Sequence, residues 1–308
     1  MNMSISPTFS GQPMDSSPQA FGELRASNDV LADAPALHRR FDEDGYLYLP
    51  GLLDREEVAA ARHATMTRLD ALGYLDPAFP LMDGVAHEAY EGAFMPELAK
   101  DNPPVLKVLY DGAMMACYEH DFGEAVRHFD YTWCRAKAPG EKTATSPHCD
   151  IVFMGRGTKQ LLTSWTPLGD VPLEMGGLMI LEKSHQLDEV KATYGQLDVD
   201  AYCTNYDDAT EIEAGDKQWQ QPQGGSYAQD AIATRTKFER RWLTADYKKG
   251  DVLIFGMYTM HASMDNQTNR IRISTDTRYQ RASEPVDERW VGENPIAHGL
   301  ASKRGMIC

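Results

Sequence analysis

The sequence has no CxxC pair, no run of lysine or arginine, and no apolar stretch approaching the ~18 residues that a membrane-spanning helix needs. Its five cysteines, Cys117, Cys134, Cys149, Cys203 and Cys308, are scattered and odd in number. That pattern indicates neither a disulfide framework nor a zinc knuckle. The opening MNMSISPTFSGQPMDSSPQ has neither a basic n-region nor an apolar core, so no secretory signal is expected. Cys308 is also misplaced for a prenylation box. Together these absences predict a cytoplasmic protein with reduced thiols. Basic charge is scarce as well: 30 Lys and Arg stand against 46 Asp and Glu, a formal net charge of −16. A duplex-binding protein needs a basic footprint to displace phosphate counterions. Nucleic acid and anionic membrane surfaces are therefore not expected partners. An anionic small-molecule substrate would need a local basic pocket to hold it against the field of the whole chain.

What is present describes an ordinary globular chain of 308 residues, 42% hydrophobic, 25% charged and 9% aromatic. Residues 1–35 are rich in Ser, Pro, Gly and Asp without periodicity and read as a mobile leader, leaving 36–308 as a single domain. FDEDGYLYLPG reads as a strand after the Asp44-Gly45 turn. A helix then runs from the cap Asp54 to Gly73, with Glu57 in a capping-box position and an apolar stripe of Val58, Ala61, Met66, Leu69 and Leu72. A second helix is expected over about 104–120. Beyond it come short β-branched or aromatic runs punctuated by PG, GRG, GD, GG and KKGD. Helices followed by dense short strands predict a mainly β fold with flanking α-helices, an antiparallel barrel or jelly roll. Residues from about Gln186 to Lys237 interrupt the strands. Tyr194, Tyr202, Tyr206, Trp219 and Tyr227 in that segment favour a lid that packs.

Two HxD triplets carry possible metal chemistry: His128-Phe-Asp130 and His148-Cys-Asp150. On a strand, that spacing sets both side chains on one face. His128 lies inside an apparently continuous strand, where a packed or edge histidine is the plainer reading. His148 follows the turn-rich KAPGEKTATSP, which can deliver it to the mouth of a barrel. A third ligand, His261, ends the apolar strand launched by KKGD, and Arg272 follows on the next strand. Two histidines and one carboxylate with open positions suit non-haem Fe(II) and dioxygen. An arginine nearby can pair with the far carboxylate of a chelating dicarboxylate. Cys149 points away from its neighbours and reads as buried. His185 reads as structural, Gly155-Arg-Gly157 as a hairpin turn, and DVDAYCTNYDD as a solvated loop, since it lacks the spacing of an EF-hand. Arg270 and Arg278 read as surface strand arginines.

From about Phe41 to Gln280 the chain resembles the phytanoyl-CoA dioxygenase family of Fe(II)/2-oxoglutarate oxygenases. The resemblance rests on FDEDGYLYLPGLLDREEV, HCD at His148, WTPLGD from Trp165, GGLMILEKSH, KGDVLIF, HAS at His261 and RIS at Arg272. It implies a double-stranded β-helix (a cupin-like jelly roll) with His148, Asp150 and His261 as iron ligands. Arg272 and Ser263 would bind 2-oxoglutarate, Trp165 would lie near it, and Arg135 or Lys137 could add a further contact. Because Asp150 is retained where related halogenases carry a small residue, hydroxylation is favoured over halogenation. The implied reaction consumes dioxygen and 2-oxoglutarate and releases succinate and CO2. Met154, Tyr258 and the lid aromatics suggest a partly apolar organic substrate. The alternatives are a cupin-type metalloenzyme that does not use 2-oxoglutarate and a non-catalytic small-molecule-binding barrel.

Overall fold

The structure is a computed structural model that describes residues 6–217 and 222–308. The segment expected to be a mobile leader is folded onto the body. A hairpin of β1 (Thr8–Phe9) and β2 (Gln12–Pro13) precedes β3 (Phe21–Glu23), a sheet strand. Phe9, Met14, Phe21 and Leu24 are buried. Gly11 N donates to the Asp265 carboxylate at 2.8 Å. Those four apolar side chains are spaced without a period among Ser, Pro and Gly, so a periodicity reading misses them.

Helix α1 (Ala34–Asp44) is capped by Asp33 and closed by Gly45 at φ 79°, and it feeds β4 (Tyr46–Leu49). In α2 (Arg55–Ala71) the Asp54 carboxylate accepts from Glu56 N and Glu57 N. The Glu57 side chain pairs with Lys107 at 2.7 Å. Val58, Ala61, Thr65, Met66 and Leu69 form the buried face of α2, while Leu72 is half-exposed. The second expected helix is two: α3 (Pro103–Tyr110) and α4 (Gly112–Phe122), because Asp111 is extended and its carboxylate accepts from Gly112 N.

The strand series begins with β5 (Val126–His128) and β6 (Trp133–Lys137), separated where a continuous strand was expected. Next come β7 (Thr145–His148), the single-turn α5 (Ile151–Met154), β8 (Leu162–Pro167) and β9 (Leu178–Leu181). The interrupting segment contributes α6 (Asp188–Ala192), β10 (Ala201–Cys203), α7 (Ala209–Ala214) and α8 (Ala231–Phe238). Its Trp219 lies outside the described residues. Then follow β11 (Trp242–Thr244), β12 (Val252–Gly256), β13 (His261–Ser263), β14 (Arg272–Arg281) and β15 (Arg304–Met306).

One sheet has the order β3-β11-β9-β13-β7 and the other β4-β12-β8-β14-β5, with β6 also paired to β14. The two sheets face each other as a double-stranded β-helix. Alternation sorts the layers. Val252, Ile254, Ile273 and Tyr279 pack outward with Leu37, Val58 and Val105 of the helices. Leu253 and Phe255 point inward with Tyr46, Tyr48 and Trp165. On β14 the inward set is Arg272, Ser274, Asp276, Arg278 and Gln280, all buried. No described helix is long and apolar enough to cross a membrane.

Two readings of the interrupting segment and its surroundings change. Cys117, Cys134 and Cys149 are free and buried, but Cys203 and Cys308 form a disulfide with Cα atoms 5.7 Å apart. The pairing of β10 with β15 brings them together across 105 residues. The acidic DVDAYCTNYDD is also not simply solvated. Asp200 is fully buried and accepts from Arg289 at 2.5 Å, Lys303 at 2.6 Å and His298 at 2.8 Å. Asp198 pairs with Arg156 at 2.7 Å, so the Gly155-Arg-Gly157 turn also anchors this segment. The cations that neutralise these carboxylates lie far along the chain, which is why local composition looked unpaired.

Candidate active site

His148 ends β7 and His261 opens β13, and the two are directly opposite in the antiparallel register. Their ring centroids are 4.1 Å apart. Asp150 follows at the start of α5, while the intervening Cys149 turns into the apolar core with Ile151 and Val152. One potential ligand atom from each of His148, Asp150 and His261 lies within 4.8 Å of the other two. Among the described residues this is the one such cluster of three.

Backbone carbonyls aim both rings. His148 Nδ1 is 2.8 Å from Ser146 O, and His261 Nδ1 is 3.0 Å from Thr259 O. Donation from Nδ1–H leaves each Nε2 lone pair for a metal. Burial, then the neighbouring imidazole, pushes the His148 pKa down to about 3. Burial also lowers that of His261. Both rings are therefore held in the neutral, ligating form. Burial alone would raise the Asp150 pKa, but Arg278, the two imidazoles and Thr163 hold it well below the usual carboxylate range. The donor set is two neutral nitrogens and one carboxylate, which fits Fe(II) with positions left open.

Basic side chains are also buried in the barrel interior. Arg272 is 1% exposed, lies over the Trp165 ring at 5.9 Å and hydrogen-bonds Gly176 O. Its Nε, the Trp165 Nε1 and the Ser274 Oγ have no partner. Lys137 Nζ donates to Ser263 Oγ and Met264 O, both at 2.8 Å. Burial first, and Arg272 second, push the Lys137 pKa well below the lysine range. Neither cation has a salt-bridge partner among the described residues. Buried basic side chains with an unpartnered guanidinium N–H fit the far carboxylate of a dicarboxylate, which would supply the missing acceptor.

The structure thus gathers His148, Asp150, His261, Arg272, Ser263 and Trp165. Arg135 also faces inward but commits its Nε to Asp276 at 2.6 Å. Met154 is buried in the apolar core behind the HxD segment. Tyr258 lies beside Gly195 and lines an exterior cleft of about 480 Å³ with His185 and Lys191. His128 stacks on Tyr110 at 4.2 Å on edge strand β5, outside the cluster. Arg278 corrects the surface-arginine reading: it is 3% exposed and its Nη2 is 2.9 Å from Asp150 Oδ2. Thr163 Oγ1 donates to the same oxygen at 2.5 Å. Strand parity could have found both, since Arg278 shares the face of Arg272 and Thr163 that of Trp165.

Comparison with known proteins agrees with this geometry. A family model described as phytanoyl-CoA dioxygenase (PhyH) matches residues 41–274. The chain is 29% identical over 269 residues to a 1-deoxypentalenic acid 11-beta-hydroxylase of Streptomyces exfoliatus, covering 82% of this chain and 83% of that protein. It is 28% identical over 276 residues to the protein of that name from Streptomyces arenae, with 85% and 87% covered. Among solved structures, EctD from S. alaskensis with bound Fe superposes with a TM-score of 0.58 at 18% identity, covering 96% of this chain and 94% of that one. That likeness shares the fold. With the family model spanning most of the chain and the triad assembled, the protein belongs to the phytanoyl-CoA dioxygenase family and is an Fe(II)- and 2-oxoglutarate-dependent dioxygenase.

Proposed function

We propose that His148, Asp150 and His261 hold Fe(II), and that Arg272, Lys137 and Ser263 take the far carboxylate of 2-oxoglutarate, with Trp165 walling that end. The observation that carries the reading is the pair of buried basic side chains, Arg272 and Lys137, neither in a salt bridge among the described residues, with Lys137 bonded to Ser263 two residues from His261. Lys137 is preferred to Arg135 because Arg135 already has Asp276. Once bound, the metal and co-substrate supply, with dioxygen, the oxidising power for C–H hydroxylation, releasing succinate and CO2. The chain's own contribution is aim and exclusion. Ser146 and Thr259 carbonyls fix the imidazoles, and Phe255 packs on His261 at 4.4 Å between ring centroids.

The 186–237 segment is our candidate lid on a single oxygenase domain. Tyr227 N donates to Pro147 O at 2.8 Å, and Tyr194 OH donates to Gly225 O while accepting from Cys149 N. These bonds tie the segment to the strand that bears His148. For substrate we propose a small, partly apolar organic acid. The hydroxylases matched above are named for such an acid, and Arg135 keeps part of its guanidinium accessible beside the aromatic Phe94.

The test is anaerobic titration of the Fe(II)-loaded protein with 2-oxoglutarate, following the visible charge-transfer band. The band is expected in wild type and His128→Ala and lost in His148→Ala and Arg272→Ala. A folded, iron-replete wild type without a band refutes the assignment. Succinate release should then be stimulated by apolar carboxylic acids and not by their amides; equal stimulation by both refutes the acid class.

A further inference from the structure

Asp150 has two oxygens in different environments. Oδ2 receives Arg278 Nη2 at 2.9 Å and Thr163 Oγ1 at 2.5 Å, whereas Oδ1 is 3.8 Å from His261 Nε2 and inside the ligand cluster. Arg278 engages Asp150 through Nη2 alone, its Nε and Nη1 having no partner, and packing holds it in place. It is buried, and its guanidinium lies over the Trp133 ring at 4.1 Å, which fixes its plane. We infer that Arg278 is a positioning residue that confines Asp150 to a single metal contact through Oδ1 and thereby keeps the site open for the co-substrate.

The argument is one of coordination arithmetic. A carboxylate can bind a metal through one oxygen or both, and the second oxygen occupies a position that another ligand would use. Two histidines and a one-oxygen carboxylate leave positions for a chelating 2-oxo acid and for dioxygen. If Oδ2 swings round, one of those positions is lost. Two donors on Oδ2, one of them charge-assisted, oppose that swing. Thr163 and Arg278 come from β8 and β14, adjacent paired strands, so the clamp is built into the sheet. This inference rests on the triad being the iron site.

The distinguishing experiment compares Fe(II) affinity with 2-oxoglutarate affinity in the full chain. Both are measured anaerobically, by chelator competition and by the charge-transfer band, in wild type, Arg278→Gln, Arg278→Lys and Thr163→Val. A lost clamp lets Asp150 chelate, so Arg278→Gln should hold Fe(II) within about threefold of wild type while 2-oxoglutarate affinity falls about tenfold or more. Arg278→Lys, which keeps the charge but not the planar fork, should fall between the two. If Arg278→Gln does not fold, Thr163→Val carries the same split at smaller amplitude. Parallel loss of both affinities, or no change in either, overturns the inference. A wild type that fails to bind iron or show a band counts instead against the assignment of the triad.

Discussion

Lys137→Met is the substitution that most sharply separates the demands of folding from those of binding. Lys137 is 3% exposed and its ammonium meets only neutral acceptors, Ser263 Oγ and Met264 O. Replacing buried charged groups by apolar side chains of similar volume is neutral or stabilises by about 1–4 kcal/mol. Against this, two hydrogen bonds of about 1 kcal/mol each are lost. Ser263 Oγ keeps the donor Thr145 N at 3.0 Å, so only the Met264 carbonyl is left bare. The terms nearly cancel, to within about 2 kcal/mol, so the melting temperature of the metal-free protein should stay within about 2–4 °C of wild type. Removing a charge-assisted bond to a carboxylate should at the same time weaken 2-oxoglutarate about 10- to 100-fold. The pH dependence has a definite sign. The folded-state pKa of Lys137 lies below its unfolded value, so the folded protein sheds this proton first. Wild-type stability therefore gains on the variant as pH rises toward the unfolded lysine range, and the variant compares best below the folded pKa. Differential scanning fluorimetry across pH, with and without 2-oxoglutarate, reads both effects. A variant that melts several degrees below wild type and binds 2-oxoglutarate unchanged refutes the reasoning, because Lys137 would then be a structural cation.

Further expectations follow from individual contacts. Gly176 has φ +71°, and a Cβ there would lie 2.4 Å from the Asp265 and Met264 carbonyl oxygens. Gly176→Ala should therefore cost about 1–3 kcal/mol in urea unfolding and, because Gly176 O holds Arg272, also weaken 2-oxoglutarate. Unchanged affinity in a folded variant would dissociate the turn from the site. Trp165→Phe removes a buried, unpartnered indole N–H, so 2-oxoglutarate affinity should drop several-fold with little loss of stability; an equal loss in both would make Trp165 plain core. Asp200→Asn breaks a buried cluster of charges and should cost about 3 kcal/mol at neutral pH. Burial works to raise the Asp200 pKa, but hydrogen bonds from His298 and Lys303 win and lower it. Its stabilisation is thus present above the ordinary carboxylate pKa and lost as pH falls below about 4, where wild type and variant should converge in unfolding midpoint.

What the sequence made legible was whatever a short local pattern encodes. Turn chemistry marks the elements that carry His148, His261 and Arg272, but the strand geometry differs: β7 stops at His148, so Asp150 sits in helical conformation at the start of α5, and the KKGD-launched strand ends at Gly256, so His261 opens a separate strand in the other sheet. The misreadings share a different cause. Arg278 and the acidic run at Asp198 and Asp200 look solvated because their partners lie 42 to 128 residues away and only the fold introduces them. The leader failed as an aperiodic segment whose few apolar residues, Phe21 among them, are captured by a sheet edge at β11. The split of the second helix at Asp111 follows the same logic at short range, since nothing in the apolar spacing marks the cap.

The basic interior offsets the charge of the whole chain. A chain with a net charge of −16 repels a dianionic co-substrate at long range. The inner faces of β6 and β14 answer it locally, with Arg135, Lys137, Arg272 and Arg278 facing Asp150 and Asp276. Arg135 and Arg278 form salt bridges to these carboxylates, whereas Lys137 and Arg272 form none among the described residues, the buried Asp265 acting on Lys137 only through space. An excess of buried positive charge is costly in the empty protein and relieved by a bound carboxylate, so binding selects an anion that also reaches the triad. Neutral ligands gain nothing from that relief. The same residues that make the unliganded barrel less stable thus set its preference for a dicarboxylate, and raising salt should weaken 2-oxoglutarate little, because the charges that hold it lie out of reach of screening ions.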